Sequence, residues 1–461
     1  MKLRAATQAS VALSLVDTAS PAMPEGPALP TGSSTVMAWT TVGILLIASA
    51  MSSVDRQIIA LLVEPIRKAF GVSDLQVGLL YGLAFGLFYA LFGLPIGWLV
   101  DRYPRRLIIS AGMTCWSLAS AACGMAGTYW HLLAARFGVG MGEAALAPAA
   151  YSMIADLFPP RRWGLALGVF ITGASIGSAL AFMGGGALIA RLEAIGPVSV
   201  PLIGALQPWQ MVFVITGLPG VAVALLVLAL PEPERRQLMP QRGEASGFVD
   251  YLQGHRRYYA CHFIGFGLVT ILTYGSAAWM PAMLMRRFHV GVAEAGLLLG
   301  AISVVSAIPG SIFGGWIADR WFAGGARDAH LRYYAYACLG SAALAAVTFF
   351  VAGSLVLVLA GYAILHFFHP FTGPAAAHLQ LATPNEFRGR ASALFVMVFN
   401  LMGMCLGPPL VAVFTDYLFC DPARLSASLG VMYVGVALLA ALVFAIGLPA
   451  ARAIVMEREQ P

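Results

Sequence analysis

Twelve apolar runs of about 20 to 28 residues dominate the chain, and a helix rising about 1.5 Å per residue needs about 20 residues to cross a hydrocarbon core about 30 Å thick. Inside lipid every backbone N–H and C=O must find its partner within the segment, so runs of this length read as transmembrane helices. They fall at approximately 37–63, 75–100, 107–127, 129–156, 163–190, 208–230, 259–285, 293–318, 331–352, 354–381, 391–416 and 425–450. Only 10% of the 461 residues are charged and 59% are hydrophobic, against about 25% charged in soluble domains. The expected fold class is an all-α membrane protein.

The placement of Lys and Arg sets the orientation. Assigning both termini and the ends of even-numbered helices to one side gathers nineteen of them there, including Arg102, Arg105, Arg106, Arg320 and Arg332. The other side keeps six: Arg67, Lys68, Arg191, Arg286, Arg287 and Arg424. The richer side is expected to be cytoplasmic, with both termini, in a bacterial inner membrane. The formal net charge of +6 follows from that topology, and the basic surface domain that nucleic-acid binding requires is missing. Residues 1–35 are rich in Ala, Ser, Thr and Pro; their stretch VALSLV is too short for a signal-peptide core, and a disordered tail is expected. The six cysteines give neither a disulfide framework nor a CxxC site, and no metal or cofactor is expected.

The polar stretch around 231–258 divides the runs into six and six, giving bundles over 36–230 and 259–450 and a C-terminal tail over 451–461. Within this linker Phe248, Tyr251, Leu252 and Tyr259 recur at helical spacing, which fits either a short helix lying on the membrane surface or a disordered loop. Two echoes relate the halves. GWLVDRYPRR from Gly97 returns as GWIADRW from Gly315, and PPRRWGLALG from Pro159 returns weakly as TPNEFRGRASAL from Thr383. Parallel six-helix repeats in matching places describe the major facilitator fold, and the chain resembles that superfamily along most of its length. Its first seam resembles the superfamily loop G-x-x-x-D-R-x-G-R-[RK], with Pro104 in place of a glycine. The resemblance implies gating by Asp101, Arg102, Arg105 and Arg106, and by Asp319 and Arg320 in the shorter copy. Physically, the aspartates can cap helix amino termini, and the arginines can pair with acids or lipid phosphates. Plain anchoring on the positive side is the alternative.

Four charges lie deep in predicted helices: Asp55 and Arg56 in the first, Arg136 and Glu143 in the fourth. Facing lipid, each would cost about 2.5 to 3.5 kcal/mol, so they are expected to face a cavity or one another. Arg136, Gly140 and Glu143 share one helical stripe, and Ser52 precedes Asp55 by about one turn. Burial penalises a charged carboxylate while a neighbouring arginine favours it, so Glu143, and after it Asp55, are the expected proton-coupling acids. A fixed structural ion pair is the competing reading for both. Arg56 and Arg136 are candidates for an anionic headgroup, equally as partners of the two acids, and Ser52 completes the polar face. The second half offers Tyr274, His366 and His369 as further substrate-binding candidates, the histidines also being ordinary interhelical partners. The glycines of the fifth run, Gly164 to Gly186, read as close helix packing.

SSVDRQIIALLVEPI, SDLQVGLLYG and RFGVGMGEAALAPAAYSMIADLFPP resemble the Spinster family of lipid transporters, as a prokaryotic-type homologue, most densely from Val54 to Gly186. That resemblance implies proton-linked movement of a lysophospholipid or sphingoid phosphate by a monomer, with Asp55, Arg56, Arg136 and Glu143 at the family's functional positions. Ser52-Ser53-Val54 replaces the Asn-Tyr that often precedes Asp-Arg there. An organic anion:proton symporter for a small carboxylate is the alternative. HExxH and G-x-S-x-G motifs are missing, so an enzyme is not expected, and repeated halves fit alternating access better than a channel.

Overall fold

The structure, a computed structural model, describes residues 32–201, 204–235 and 245–459. The chain divides into two compact units, residues 1–40 and 41–461. In the first, the described residues are helical, and Thr40 Oγ1 donates to Val36 O at 2.9 Å. The disordered tail expected over 1–35 therefore has its last four residues in helix, and residues 1–31 lie outside the described residues, as do Arg236 and Arg242 of the linker. All that follows concerns the second unit.

Eleven helices among the described residues are long and apolar enough to cross a membrane. They are α1 (Thr35–Leu61), α2 (Asp74–Arg102), α3 (Arg105–Gly124), α6 (Arg162–Ile195), α7 (Pro208–Leu228), α9 (Arg256–Phe288), α10 (Val292–Ala323), α11 (Ala329–Val351), α12 (Leu355–Ala382), α13 (Arg388–Phe419) and α14 (Pro422–Glu459). The twelfth expected span is broken into α4 (Tyr129–Glu143) and α5 (Leu146–Leu157). Pro148 accounts for the break: it has no N–H to give Ala144 O, and its ring crowds that carbonyl. Helix α12 is interrupted in the same manner at His369–Phe371, with Pro374 just beyond. A β-hairpin, β1 (Val198–Val200) with β2 (Gly204–Leu206), links α6 to α7.

Two tail and linker expectations change. The expected C-terminal tail is helical through Glu459. The linker contains a helix, α8 (Ala245–Gly254), whose Phe248 and Tyr251 pack on protein. Tyr251 Oη donates to Ala382 O at 2.9 Å, and Phe248 and Tyr251 each lie 5.7 Å from the Phe387 ring. Phe387 offers an apolar partner close at hand, which removes the need for lipid.

Glycines show where helices converge. On α2, Gly78, Gly82 and Gly86 press against Met404–Pro409 of α13, whereas Gly93 and Gly97, on the same helical face, meet nothing within 4 Å. On α6, Gly173 and Gly177 press on Leu46 and Ala50 of α1, and Gly186 on α10, while Gly164 and Gly168 meet nothing within 4 Å. The packing expected of this glycine series thus holds for Gly173, Gly177, Gly185 and Gly186, and not for Gly164, Gly168 and Gly184. Helices preceding the linker meet those following it at the end holding the α1–α2 connection, and separate toward the end that carries Asp101 and Asp319. There Leu91, Leu94 and Trp98 of α2 and Ile308, Ile312 and Trp316 of α10 stand exposed. Within residues 41–461, the helices before and after the linker are thus apart at the seam end and packed together at the far end.

Candidate functional site

Close packing of α1, α3 and α4 brings the four deep charges together. Asp55, Arg136 and Glu143 are each no more than 2% exposed, and Arg56 is partly exposed. Ser52 Oγ donates to Glu143 Oε2 at 2.6 Å and accepts from Arg56 Nη2 at 3.0 Å, while Arg56 Nε stands 3.4 Å from the same carboxylate oxygen. Asp55 Oδ1 accepts from Ser120 Oγ at 2.9 Å, and Arg136 Nη1 donates to the Asp55 main-chain O at 3.3 Å. Arg56 therefore serves Glu143 and not its neighbour Asp55, because residues adjacent on a helix point about 100° apart. Both guanidinium groups also flank the Phe85 ring, at 5.8 and 5.5 Å. Oδ2 of Asp55 and Oε1 of Glu143 have no hydrogen-bond partner among the described residues, so each acid keeps one oxygen free to take a proton.

This cluster borders a cavity of about 260 Å³ lined by Arg56, Arg136, Tyr81, Phe85, Tyr274 and Met404 among others. Helices before the linker supply its charge; Tyr274 and Met404 from α9 and α13 supply an aromatic and an apolar wall. His366 and His369 do not line it. His369 is buried at the α12 interruption, with Nδ1 3.4 Å from Tyr433 Oη. Ser120 and Phe85 escaped the sequence reading. The serines at 110, 117 and 120 in a mainly apolar helix were the available signal for the first, and nothing marked the second.

The two Asp-Arg seams differ from each other. In both, Trp and Arg stand four apart on the helix, and the guanidinium lies over the indole: Arg102 on Trp98 at 3.8 Å and Arg320 on Trp316 at 5.9 Å. Asp101 is exposed, and Asp319 faces His330 Nε2 at 3.6 Å. Arg105 is fully buried. It pairs with Asp156, donates through Nη1 to Ser152 Oγ at 3.0 Å and through Nε to Glu232 Oε1 at 2.8 Å, and its N–H and that of Arg106 also bond Glu232. Burial works to raise the Glu232 carboxyl, but hydrogen bonds from the Arg105 side chain and from the Arg106 and Arg105 N–H groups hold it below the ordinary glutamate range. The first seam thus staples α3 to the end of α5 and to the start of the linker. These bonds lie within the first half and the start of the linker.

The far end carries a charge network that the sequence reading missed. Ser73 and Gln76 form a capping box that sets Asp74 at the first turn of α2, where it is fully buried. Arg286 of α9 grips Asp74 with two nitrogens, at 2.7 and 2.8 Å, and Glu64 at 2.6 Å. Arg67 Nε adds an ion pair to Asp74 at 3.0 Å. Leu75 N donates to Asp416 Oδ2 at 2.7 Å. Glu64, Arg67 and Asp74 precede the linker and Arg286 and Asp416 follow it, so these bonds tie the far end shut.

Residues 45–408 match the Major Facilitator Superfamily. The chain belongs to that superfamily: it is a secondary transporter with twelve-span-type helical architecture, not an enzyme. It is 28% identical over 392 residues to an MFS-type efflux pump of Mycolicibacterium smegmatis, covering 83% of this chain and 86% of that one. It is 26% identical over 405 residues to protein spinster homolog 1 of Xenopus laevis, covering 81% and 72%. A probable L-galactonate transporter of Escherichia coli is 25% identical over 303 residues, 62% of each chain. Among solved structures, a bacterial homologue of the human lysosomal transporter Spinster, in an inward-facing and unoccupied conformation, superposes with a TM-score of 0.76 at 24% identity, covering 92% of this chain and 99% of that one.

Proposed function

We propose that the chain moves an amphiphilic anionic lipid, of the lysophospholipid or sphingosine-phosphate kind, by proton-coupled alternating access between a six-helix bundle over 36–230 and another over 259–450. The observation that carries this reading is the asymmetry of the central cavity. Arg56 and Arg136, which neighbour the two buried acids, line one side of it, with Met404 and Tyr274 on the other. Arg56 and Arg136 hold the headgroup, and Tyr274 lies against it. Glu143 and Asp55 exchange the proton at their free oxygens. Because Arg56 holds Glu143 when no anion is bound, an incoming anion competes for Arg56 and favours the protonated acid, so the two ligands are linked reciprocally. The seam end faces the cytoplasm, by the excess of arginine there. The seams of Asp101, Arg102, Asp319 and Arg320 close in the opposite state, as the Asp74–Arg286 network opens.

The size of the cavity favours a second reading. About 260 Å³ lies at the low end for a ligand pocket and suits a small carboxylate such as a sugar acid. Reconstituted protein distinguishes the two. Labelled lysophospholipid or sphingosine phosphate should move in proteoliposomes under a pH gradient, and Glu143→Gln should abolish the gradient's effect while leaving the melting temperature unchanged. Proton-linked uptake of a hexonate by wild type, without lipid movement, would overturn the lipid reading.

A further inference from the structure

The seam end of the second half holds an open cavity of about 660 Å³ in the connection between α10 and α11, lined by Arg320, Trp321, Arg332 and Tyr336. We propose that it binds the phosphate of an anionic membrane lipid, whose chain runs along α11, as a site separate from the transport cavity.

Comparison of the two seams carries the argument. In the first, the linker sends the Glu232 carboxylate into the arginines that follow Asp-Arg, and Asp156 completes their neutralisation. In the corresponding place of the second, the lining contributes two guanidinium groups and no carboxylate. Acids do stand nearby. Asp328 pairs with Arg332 at 2.7 Å but also with Arg452 at 2.7 Å, so one carboxylate is shared between two arginines. Asp319 turns to His330. Arg320 has the Trp316 indole as its neighbour and no ion pair among the described residues, which leaves its donors available. Glu459 at the end of α14 pairs with Arg327 of the same connection at 2.8 Å, so Arg320 is the guanidinium left for an anion from outside the chain.

The surroundings identify that anion as a lipid. Below Arg332 the exposed face of α11 continues through Tyr336, Leu339, Ala343 and Val347, at intervals of three or four residues, as an apolar stripe that no other described residue covers. Trp321 and Tyr336 lie at its head with ring centroids 6.2 Å apart, as aromatic side chains do at the level of lipid headgroups. Basic pockets between membrane helices, joined to an apolar helix face, suit phospholipid phosphates. Through Arg320 the lipid touches the seam itself, so its occupancy bears on how that end closes.

Native mass spectrometry of the purified chain tests this, with dioleoyl-phosphatidylglycerol and dioleoyl-phosphatidylcholine added at equal concentrations and inorganic phosphate as competitor. Wild type should retain phosphatidylglycerol in preference, and Arg320→Gln should lower that preference about fivefold, with a similar further loss on adding Arg332→Gln. Arg332→Gln also releases Asp328, so Arg320→Gln, whose side chain leaves no carboxylate unpaired, is the deciding variant when its melting temperature matches wild type. Equal retention of the two lipids, or an unchanged preference in Arg320→Gln, overturns the proposal. Displacement of the lipid by inorganic phosphate alone overturns its lipid part. None of these outcomes depends on what the central cavity transports.

Discussion

Asp74→Asn should raise the state open at the far end to about equal population with the one open at the seam end. Asp74 is fully buried and holds Arg286 through two nitrogens. Removing one partner of a buried pair costs about 3 to 5 kcal/mol. Glu64 remains on Arg286 in the variant, which puts the loss at the lower end, about 3 kcal/mol. That is roughly a hundredfold in the equilibrium between the two states, so an alternative state populated at about 1% would rise to about one half. Spin labels at Lys68→Cys and Ala423→Cys report the far end, and labels at Tyr103→Cys and Ala323→Cys report the seam end, in a chain with the exposed Cys420 changed to serine. The first distance should lengthen and the second shorten in the same sample. Lengthening alone would mean local unfolding around Asp74, and no change in either distance would refute its role as a latch.

Glu232 predicts a pH effect on stability. Its carboxyl is held below the ordinary range, so its contribution is complete above about pH 4.3, the unfolded value, and is lost as the pH falls further through the depressed one. The melting temperature of wild type should therefore fall more steeply on acidification from pH 5 than that of Glu232→Gln; parallel curves would contradict the staple. Packing predicts a contrast between two glycines of one helix. Gly177→Leu drives a side chain into the Ala50 backbone and should cost about 1 to 3 kcal/mol or more in thermal unfolding, whereas Gly168→Leu, with nothing within 4 Å, should melt as wild type does.

Length and hydropathy made the spanning helices legible, because lipid leaves a chain no other way to satisfy its backbone over 20 apolar residues. Reliance on hydropathy hid the break before Pro148, where AALAPAA runs apolar through the interruption. The deep charges were legible one by one, since each is costly alone, but their pairing was not. That Arg56 reaches Glu143 through Ser52, and that Asp55 instead meets Ser120, depends on how α1, α3 and α4 rotate against one another. The far-end network was the least legible. Asp74 and Arg286 are 212 positions apart, and each reads as an ordinary charge at the end of a helix. Only the closed far end gives them to each other.

The two interrupted helices place chemistry at equal positions in the two halves. Glu143 precedes Pro148 by five residues and His369 precedes Pro374 by five, and both prolines are followed by Ala-Ala. Each lies three residues into the helix segment that resumes after the break, so each helix is released from its own hydrogen-bond ladder at the same depth. The repeat has thus kept one backbone device twice while the side chain above it diverged. Glu143 meets an arginine and a serine beside the cavity; His369 turns from the cavity toward Tyr433. On the proposed lipid reading, this divergence leaves the charge that responds to the proton in the first half and none beside the cavity in the second, whose wall is Tyr274 and Met404.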